Sequence, residues 1–173
     1  MAFANDLWTD KQDAIIHNDS GFIFPKTSGE FKFIKVSDKS NPHSPKASGI
    51  SYQIPEKGIR MLLVLTPNLG TPEQNAAKLY NGSISAFKSL GQGKIKIQEL
   101  SPPPRYGKKE DRYASWIVME NSPNRGTFTY VFSDRNYLIS MTTIHSLKTD
   151  LKWTVLSMDA FLKNLNWSNT NKM

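Results

Sequence analysis

The chain has 173 residues, of which 38% are hydrophobic and 21% charged, so it is long enough for one domain with its own core. It contains no cysteine, which excludes disulfides, thiolate metal sites and cysteine nucleophiles. Its formal net charge of +7 favours contact with polyanions, although such a surplus can also serve solubility alone.

The sequence holds no candidate for a membrane-spanning helix, which needs roughly 20 predominantly apolar residues. The longest apolar run, residues 61–65, has the length of a strand. Ala2, Phe3 and Ala4 have the small-x-small form of a signal-peptide cleavage site. We therefore expect a periplasmic or secreted protein if a signal peptide was trimmed before Asn5, and a cytoplasmic one otherwise.

The N-terminal quarter of the chain shows weak periodicity followed by one clear strand. Residues 1–20 are mostly polar, which predicts a loosely attached arm with one helical turn, and residues 21–25 predict a short extended piece closed by proline. Residues 30–37 alternate apolar and polar side chains, as a strand with one wet face does. Residues 38–48 contain two prolines and predict a loop.

A hairpin and a helix are predicted next. Residues 49–55 and 59–66 form two strands joined by a tight turn at Gly58, and the unbroken apolar run of the second strand predicts a central place in the sheet. Residues 72–90 predict a helix that begins with a Thr71–Gln74 capping box and buries Phe87. Gly82 in its middle predicts close packing of the helix on the sheet.

The second half of the chain predicts a meander of strands and a closing helix. The helix covers residues 149–166, with Leu151 and Phe161 on its inner face, and a polar tail follows at residues 168–173. The strands are residues 94–100, 112–120, 126–133 and 136–145.

This order of elements predicts an α+β fold with a six- to seven-stranded, mainly antiparallel sheet and two amphipathic helices. We expect one domain over residues 21–167, between the N-terminal arm (1–20) and the tail (168–173).

Residues that could carry catalysis or hold a metal are scarce. His17, His43 and His145 are far apart in sequence, and neither an HExxH nor a GxSxG pattern is present. We interpret His145 as a strand-end residue with a satisfied hydrogen bond, His43 as part of a loop, and His17 as part of the arm. The sequence therefore predicts no catalytic residue, no metal ligand and no cofactor.

The most unusual segment is residues 102–113, where three prolines precede basic and aromatic side chains. Such a mixture suits a phosphate backbone or an acidic patch on a partner. The competing interpretation is an ordinary surface crossover, partly neutralised by Glu110 and Asp111. The candidate partner-binding residues are Arg105, Tyr106, Lys108, Lys109, Arg112 and Tyr113.

The pattern resembles the PsbP-like group of α+β sandwiches, which includes DcrB-type bacterial envelope proteins. The resemblance is carried by Gly-Ile-Ser-Tyr-Gln-Ile-Pro at residues 49–55, by the closing hairpin at 127–144, and by the helix ending in Phe-Leu-Lys-Asn-Leu at 161–165. Residues 21–25 also match a GFxFP opening of uncharacterised exported bacterial proteins. The Gly-Trp customary after the second strand is replaced by Glu-Lys-Gly at 56–58.

The resemblance implies a PsbP-like sandwich and a non-enzymatic binding or accessory protein of the bacterial cell envelope, acting through protein or small-ligand contacts. Two alternatives remain open from the residues: a polyanion or nucleic-acid binder that uses the loop 102–113, and an enzyme whose site assembles only in three dimensions. A shallow apolar groove would favour protein binding, and a continuous basic face would favour polyanions.

Overall fold

A computed structural model describes residues 7–41, 44–70, 75–92, 94–100, 106, 109–122 and 124–168. The described residues form eleven strands, all paired antiparallel, in one three-stranded and one eight-stranded sheet, together with two α-helices. The predicted α+β class and antiparallel pairing are confirmed. The large sheet has more strands than the six or seven predicted, because the two-residue strand Thr27–Ser28 adds one edge.

The small sheet has the order β1-β2-β3, with β1 at Trp8–Asp10, β2 at Ala14–His17 and β3 at Phe22–Pro25. The large sheet has the order β4-β5-β6-β7-β11-β10-β9-β8. Its strands are β4 (Thr27–Ser28), β5 (Phe31–Asn41), β6 (Ser44–Ile54), β7 (Ile59–Pro67), β8 (Ile95–Glu99), β9 (Tyr113–Met119), β10 (Arg125–Asp134) and β11 (Tyr137–Ser146). The helices are α1 (Ala76–Leu90) and α2 (Leu151–Lys163).

One face of the large sheet holds the main core. The alternation along β7 sends Met61, Leu63 and Leu65 to this face, where they are fully buried with side chains from the small sheet and from α2. Leu151, predicted on the inner face of α2, is instead exposed at the first turn. The buried residues of α2 are Thr154, Met158, Phe161 and Leu162.

The opposite face of the large sheet is covered only in part. Helix α1 packs over β9, β10 and β11, where Tyr80 meets Val131 and Leu138 in a second, smaller core. Only Ala76 and Tyr80 of α1 are buried, and Phe87, predicted to be buried, is half-buried. The outer face of β5, β6 and β7 therefore lies beyond the helix.

The prediction of a loose N-terminal arm is wrong for the described residues 7–20. Trp8, Ile15 and His17 are buried, and β1 pairs with β2, which pairs with β3, in a small sheet that covers the core. The segment lacks a long apolar run because its strands have only three and four residues, which is too short for periodicity to show.

The loop predicted at residues 38–48 is also wrong for the described residues 38–41 and 44–48, where β5 and β6 continue as paired strands. Pro45 misled the prediction. It lies where β6 has β5 as its one neighbour among the described strands, since the pairing of β6 with β7 begins at Ser48. A proline without an N–H is tolerated at such an edge. His43 lies outside the described residues.

Helix α1 begins four residues later than predicted. Asn75 is the N-cap, with its side chain accepting a hydrogen bond from the Lys78 N–H, while the predicted Thr71–Gln74 box lies outside the described residues. The close packing predicted at Gly82 is wrong, because a Cβ there would meet no described atom within 4 Å. The Gly58 turn is confirmed: it has φ 62° and joins β6 to β7.

No helix among the described residues is long and apolar enough to cross a bilayer. At the C-terminal end, Ser168 is anchored because its N–H donates to the Asp134 carboxylate at 3.0 Å, and the rest of the predicted tail lies outside the described residues.

Candidate functional site

The part of the outer face that α1 and the other described elements leave open forms a groove of about 480 Å³, which we call the sheet-face groove. It crosses β5, β6, β7 and β11. The side chains that line it include Ile34, Lys35, Gln53, Arg60, Leu62 and Ile144.

The strand register places these side chains in two rows that run across the sheet. Gln53 lies opposite Arg60, and Arg60 lies opposite Ile144. In the next row, neighbours on successive strands are Lys35, Ser51, Leu62 and Thr142. Because side chains alternate along a strand, the same registers that fill the core also build this outer surface.

A bulge adds the apolar wall of the groove. The register of β5 and β6 shifts between Phe33 and Lys35, so Ile34 stands out of the ladder. Ile34 and Ile144 are each 40% exposed, although both are large aliphatic side chains. Exposed apolar side chains gathered in a groove are typical of binding surfaces.

The charged side chains that line the groove, among the described residues, are all positive. Lys35 and Arg60 line it and are exposed, whereas none of its described lining residues carries a carboxylate. An ion pair beside it, Lys32 with Glu56 at 3.9 Å, joins two exposed side chains and contributes little. The groove therefore suits a ligand that combines apolar groups with negative charge.

A second pocket of about 400 Å³ lies between α1 and the β8–β9 end of the sheet. Its wall is a stacked pair, Tyr80 on Tyr113, with ring centroids 5.3 Å apart, and the Tyr80 hydroxyl is hydrogen-bonded to Ser115. Glu99 and Arg112 also line it. We call it the helix-edge pocket.

The six candidate partner-binding residues are not brought together. Tyr106 stacks on Trp167 with centroids 5.5 Å apart, on the side of the main core, whereas Arg112 and Tyr113 line the helix-edge pocket on the α1 side. Lys109 lies in a short 3-10 turn, Lys109–Asp111. Arg105 and Lys108 lie outside the described residues.

His17, predicted on the arm, is buried and joins the two sheets. Its Nδ1 accepts from the Ser20 N–H at 3.3 Å, and its Nε2 lies 2.8 Å from the Ser48 hydroxyl. A serine beside a histidine has the form of a catalytic pair, but Ser48 is fully buried, so a substrate has no access to it. This arrangement fits a structural role.

His145 is likewise enclosed. The Trp116 indole N–H lies 3.2 Å from Nε2, and Nδ1 lies 2.9 Å from the Ser146 carbonyl oxygen, so the ring is held neutral with its proton on Nδ1. Burial lowers the pKa of His145 below its ordinary value. Neither of these partners is a carboxylate, and in the part of the chain that the structure describes His145 lines neither the groove nor the pocket.

Within the described residues, no group of three or more His, Asp or Glu side chains is arranged to hold a metal ion. The groove was missed by sequence reasoning because it depends on which side of the sheet α1 covers. The adjacent apolar pair Phe33–Ile34, where the bulge lies, was the one visible signal.

Comparison with family models and with curated proteins gives no match. Among solved structures, the chain is similar to the solution structure of cyanobacterial PsbP (CyanoP) from Synechocystis sp. PCC 6803. The two share 12% sequence identity with a TM-score of 0.53, over 88% of this chain and 89% of that one. The protein therefore has a PsbP-like fold.

Proposed function

We propose that this protein is a non-enzymatic binding protein that holds an apolar, acidic segment of a partner protein in the sheet-face groove. The observation that carries the proposal is the juxtaposition of exposed Ile34 and Ile144 with Lys35 and Arg60, in a groove whose described lining includes no carboxylate. The location that goes with it is the bacterial cell envelope, and cell fractionation of the natural gene product tests that part.

An amphipathic helix is the form of segment that the groove fits best. β6, β7 and β11 each pair on both sides at the groove, so their backbones offer no hydrogen bonds and the occupant has to satisfy its own. The groove crosses four strands, a width of roughly 14 Å at about 4.8 Å per spacing. A helix about 10–12 Å in diameter fits that width and can present an apolar stripe.

The experiment is titration with a helical probe, an acetylated and amidated peptide of about 15 residues of Leu, Ala and Glu, with leucines at every third or fourth position. A matched peptide with Lys in place of Glu is the control. We expect the Glu peptide to bind and the Lys peptide to bind at least about tenfold more weakly, a difference of about 1.4 kcal/mol.

A second experiment reverses the charges that line the groove. In Lys35→Glu/Arg60→Glu, binding of the Glu peptide should be at least about tenfold weaker, and binding of the Lys peptide should become stronger than in the wild type. The control variant Lys148→Glu/Lys152→Glu changes net charge equally, on exposed residues outside the groove, and should leave binding within about twofold. Equal affinity for both peptides, or equal effects of both variants, would contradict the proposal.

A further inference from the structure

A second exposed surface, apart from the sheet-face groove, is β8, which forms one edge of the eight-stranded sheet. Its one neighbouring strand among the described residues is β9. All residues from Lys96 to Glu99 are exposed, including Ile97 at 36%. An unpaired edge is a template for another strand.

The register shows which backbone groups face outward. The Leu100 N–H donates to the Ala114 carbonyl at 3.0 Å, and the Glu120 N–H donates to the Lys94 carbonyl at 3.0 Å. Hydrogen-bonded and non-hydrogen-bonded pairs alternate along an antiparallel ladder. The residues that direct their N–H and C=O groups away from β9, off the edge of the sheet, are therefore Ile95, Ile97 and Glu99.

The two faces of β8 differ in chemistry. Ile95 and Ile97 lie beside Met119 and Ile117 on the α1 face, so this face of the edge is apolar from Ile95 to Ile97 and ends at Glu99. Lys96 lies beside Val118 on the opposite face, and the exposed Lys94 has the same parity. A strand added here meets Ile95 and Ile97, then Glu99, on one face, and Lys94 and Lys96, then Gln98, on the other.

We propose that β8 binds an extended segment of a partner protein by strand addition, and that this segment alternates apolar with acidic residues. Apolar residues would lie beside Ile95 and Ile97, and acidic residues beside Lys94 and Lys96. A second copy of this chain fits less well, because lysines on an edge and a net charge of +7 oppose pairing of like with like. This surface is separate from the sheet-face groove, since no residue of β8 is among the described lining of that groove.

The probe for this edge is Ac-Val-Glu-Val-Glu-Val-Glu-Val-NH2, with the corresponding Val/Lys peptide as its control. Binding is followed by NMR on the labelled protein, with amide exchange measured at Ile95, Ile97 and Glu99. We expect slower exchange of these amides with the Glu peptide and at least about tenfold weaker binding of the Lys peptide.

Two variants separate backbone pairing from side-chain contact. Ile97→Pro removes an outward N–H without removing a hydrogen bond to β9. It should weaken binding of the Glu peptide at least about tenfold. Ile97→Thr keeps the N–H and should bind within about threefold of the wild type. In Lys94→Glu/Lys96→Glu the preference should switch from the Glu peptide to the Lys peptide. In Lys35→Glu/Arg60→Glu the preference for the Glu peptide at this edge should remain.

The proposal is overturned if no amide at residues 95–99 responds up to about 1 mM Glu peptide. It is also overturned if Ile97→Pro, shown to be folded by its thermal transition, binds as the wild type does. A wild-type dimer in sedimentation that Ile97→Pro disperses would overturn it too, by assigning the edge to a second copy.

Discussion

His145 illustrates how a single buried residue couples folding to pH. Its ring accepts from Trp116 and donates to the Ser146 carbonyl, and the aromatic ring stacked on it is Phe128 at 5.2 Å. Protonation would place a second N–H against the Trp116 donor. Burial lowers the pKa of His145 in the folded protein, and the hydrogen bond to the Ser146 carbonyl opposes this shift in part.

This shift predicts that stability falls with acidification. The unfolded state binds the proton more readily, with a pKa of about 6.5, so the free energy of unfolding decreases as the pH falls from about 6.5 toward the folded pKa. In His145→Gln, which keeps an acceptor for Trp116, this part of the pH dependence should disappear. Urea unfolding of both proteins between about pH 5 and 8 measures it, and identical slopes would contradict the assignment.

Two glycines should respond oppositely to the same substitution. A Cβ at Gly126 would lie 2.5 Å from His145 Nε2 and 2.7 Å from Trp116 Nε1, so Gly126→Ala should destabilise by about 1–3 kcal/mol through overpacking. Gly82→Ala, on an exposed part of α1 with no described atom near, should stabilise by about 0.5–1 kcal/mol. Urea unfolding measures the change in the free energy of unfolding for both variants. A stabilising Gly126→Ala would refute the packing at that site.

Among the elements, the small sheet is held in part by a side chain from the β10–β11 turn. Arg135 donates to the Gly21 carbonyl at 2.8 Å and to the Asn166 carbonyl, and its guanidinium lies 4.9 Å from the Phe22 ring centroid. It thus connects the turn, the small sheet and the segment after α2. A lysine cannot replace these contacts, because its single ammonium group lacks the planar set of N–H donors of a guanidinium.

Arg135→Lys should therefore loosen the small sheet while leaving the large sheet intact. We expect faster amide exchange within residues 14–25 and a loss of about 1–2 kcal/mol in the free energy of unfolding. Hydrogen exchange checks the location of the change. Faster exchange spread evenly over β7, β10 and β11 would show that Arg135 has no local role.

The elements differ in how far the sequence predicts them. The hairpin at Gly58 follows from local rules, because the turn residue acts on neighbouring backbone. The small sheet and the long β5–β6 hairpin do not, because Trp8, His17 and Ser48 are placed by contacts between distant segments. The sheet-face groove depends on the extent of α1 across the sheet, which no local pattern encodes.

At the scale of the whole molecule, the net charge of +7 allows a separate test of polyanion binding. The described candidate residues do not form one continuous face, since Tyr106 and Arg112 lie on different sides of the sheet. We expect weak heparin binding that falls smoothly with salt. Replacing Arg105, Lys108 and Lys109 by Ala should reduce the slope of log affinity against log salt concentration only in proportion to the three charges removed. A complete loss of heparin binding would favour the polyanion alternative.

Methyl NMR with the Leu/Ala/Glu peptide shows whether the sheet-face groove binds an apolar, acidic helix. Ile34, Leu62 and Ile144 line the groove, whereas Leu151 and Leu156 are apolar and exposed on α2. We predict shifts at the methyl groups of the three groove residues that saturate together, with the two α2 leucines unchanged. Shifts centred on α2, or none at the groove, would contradict the account.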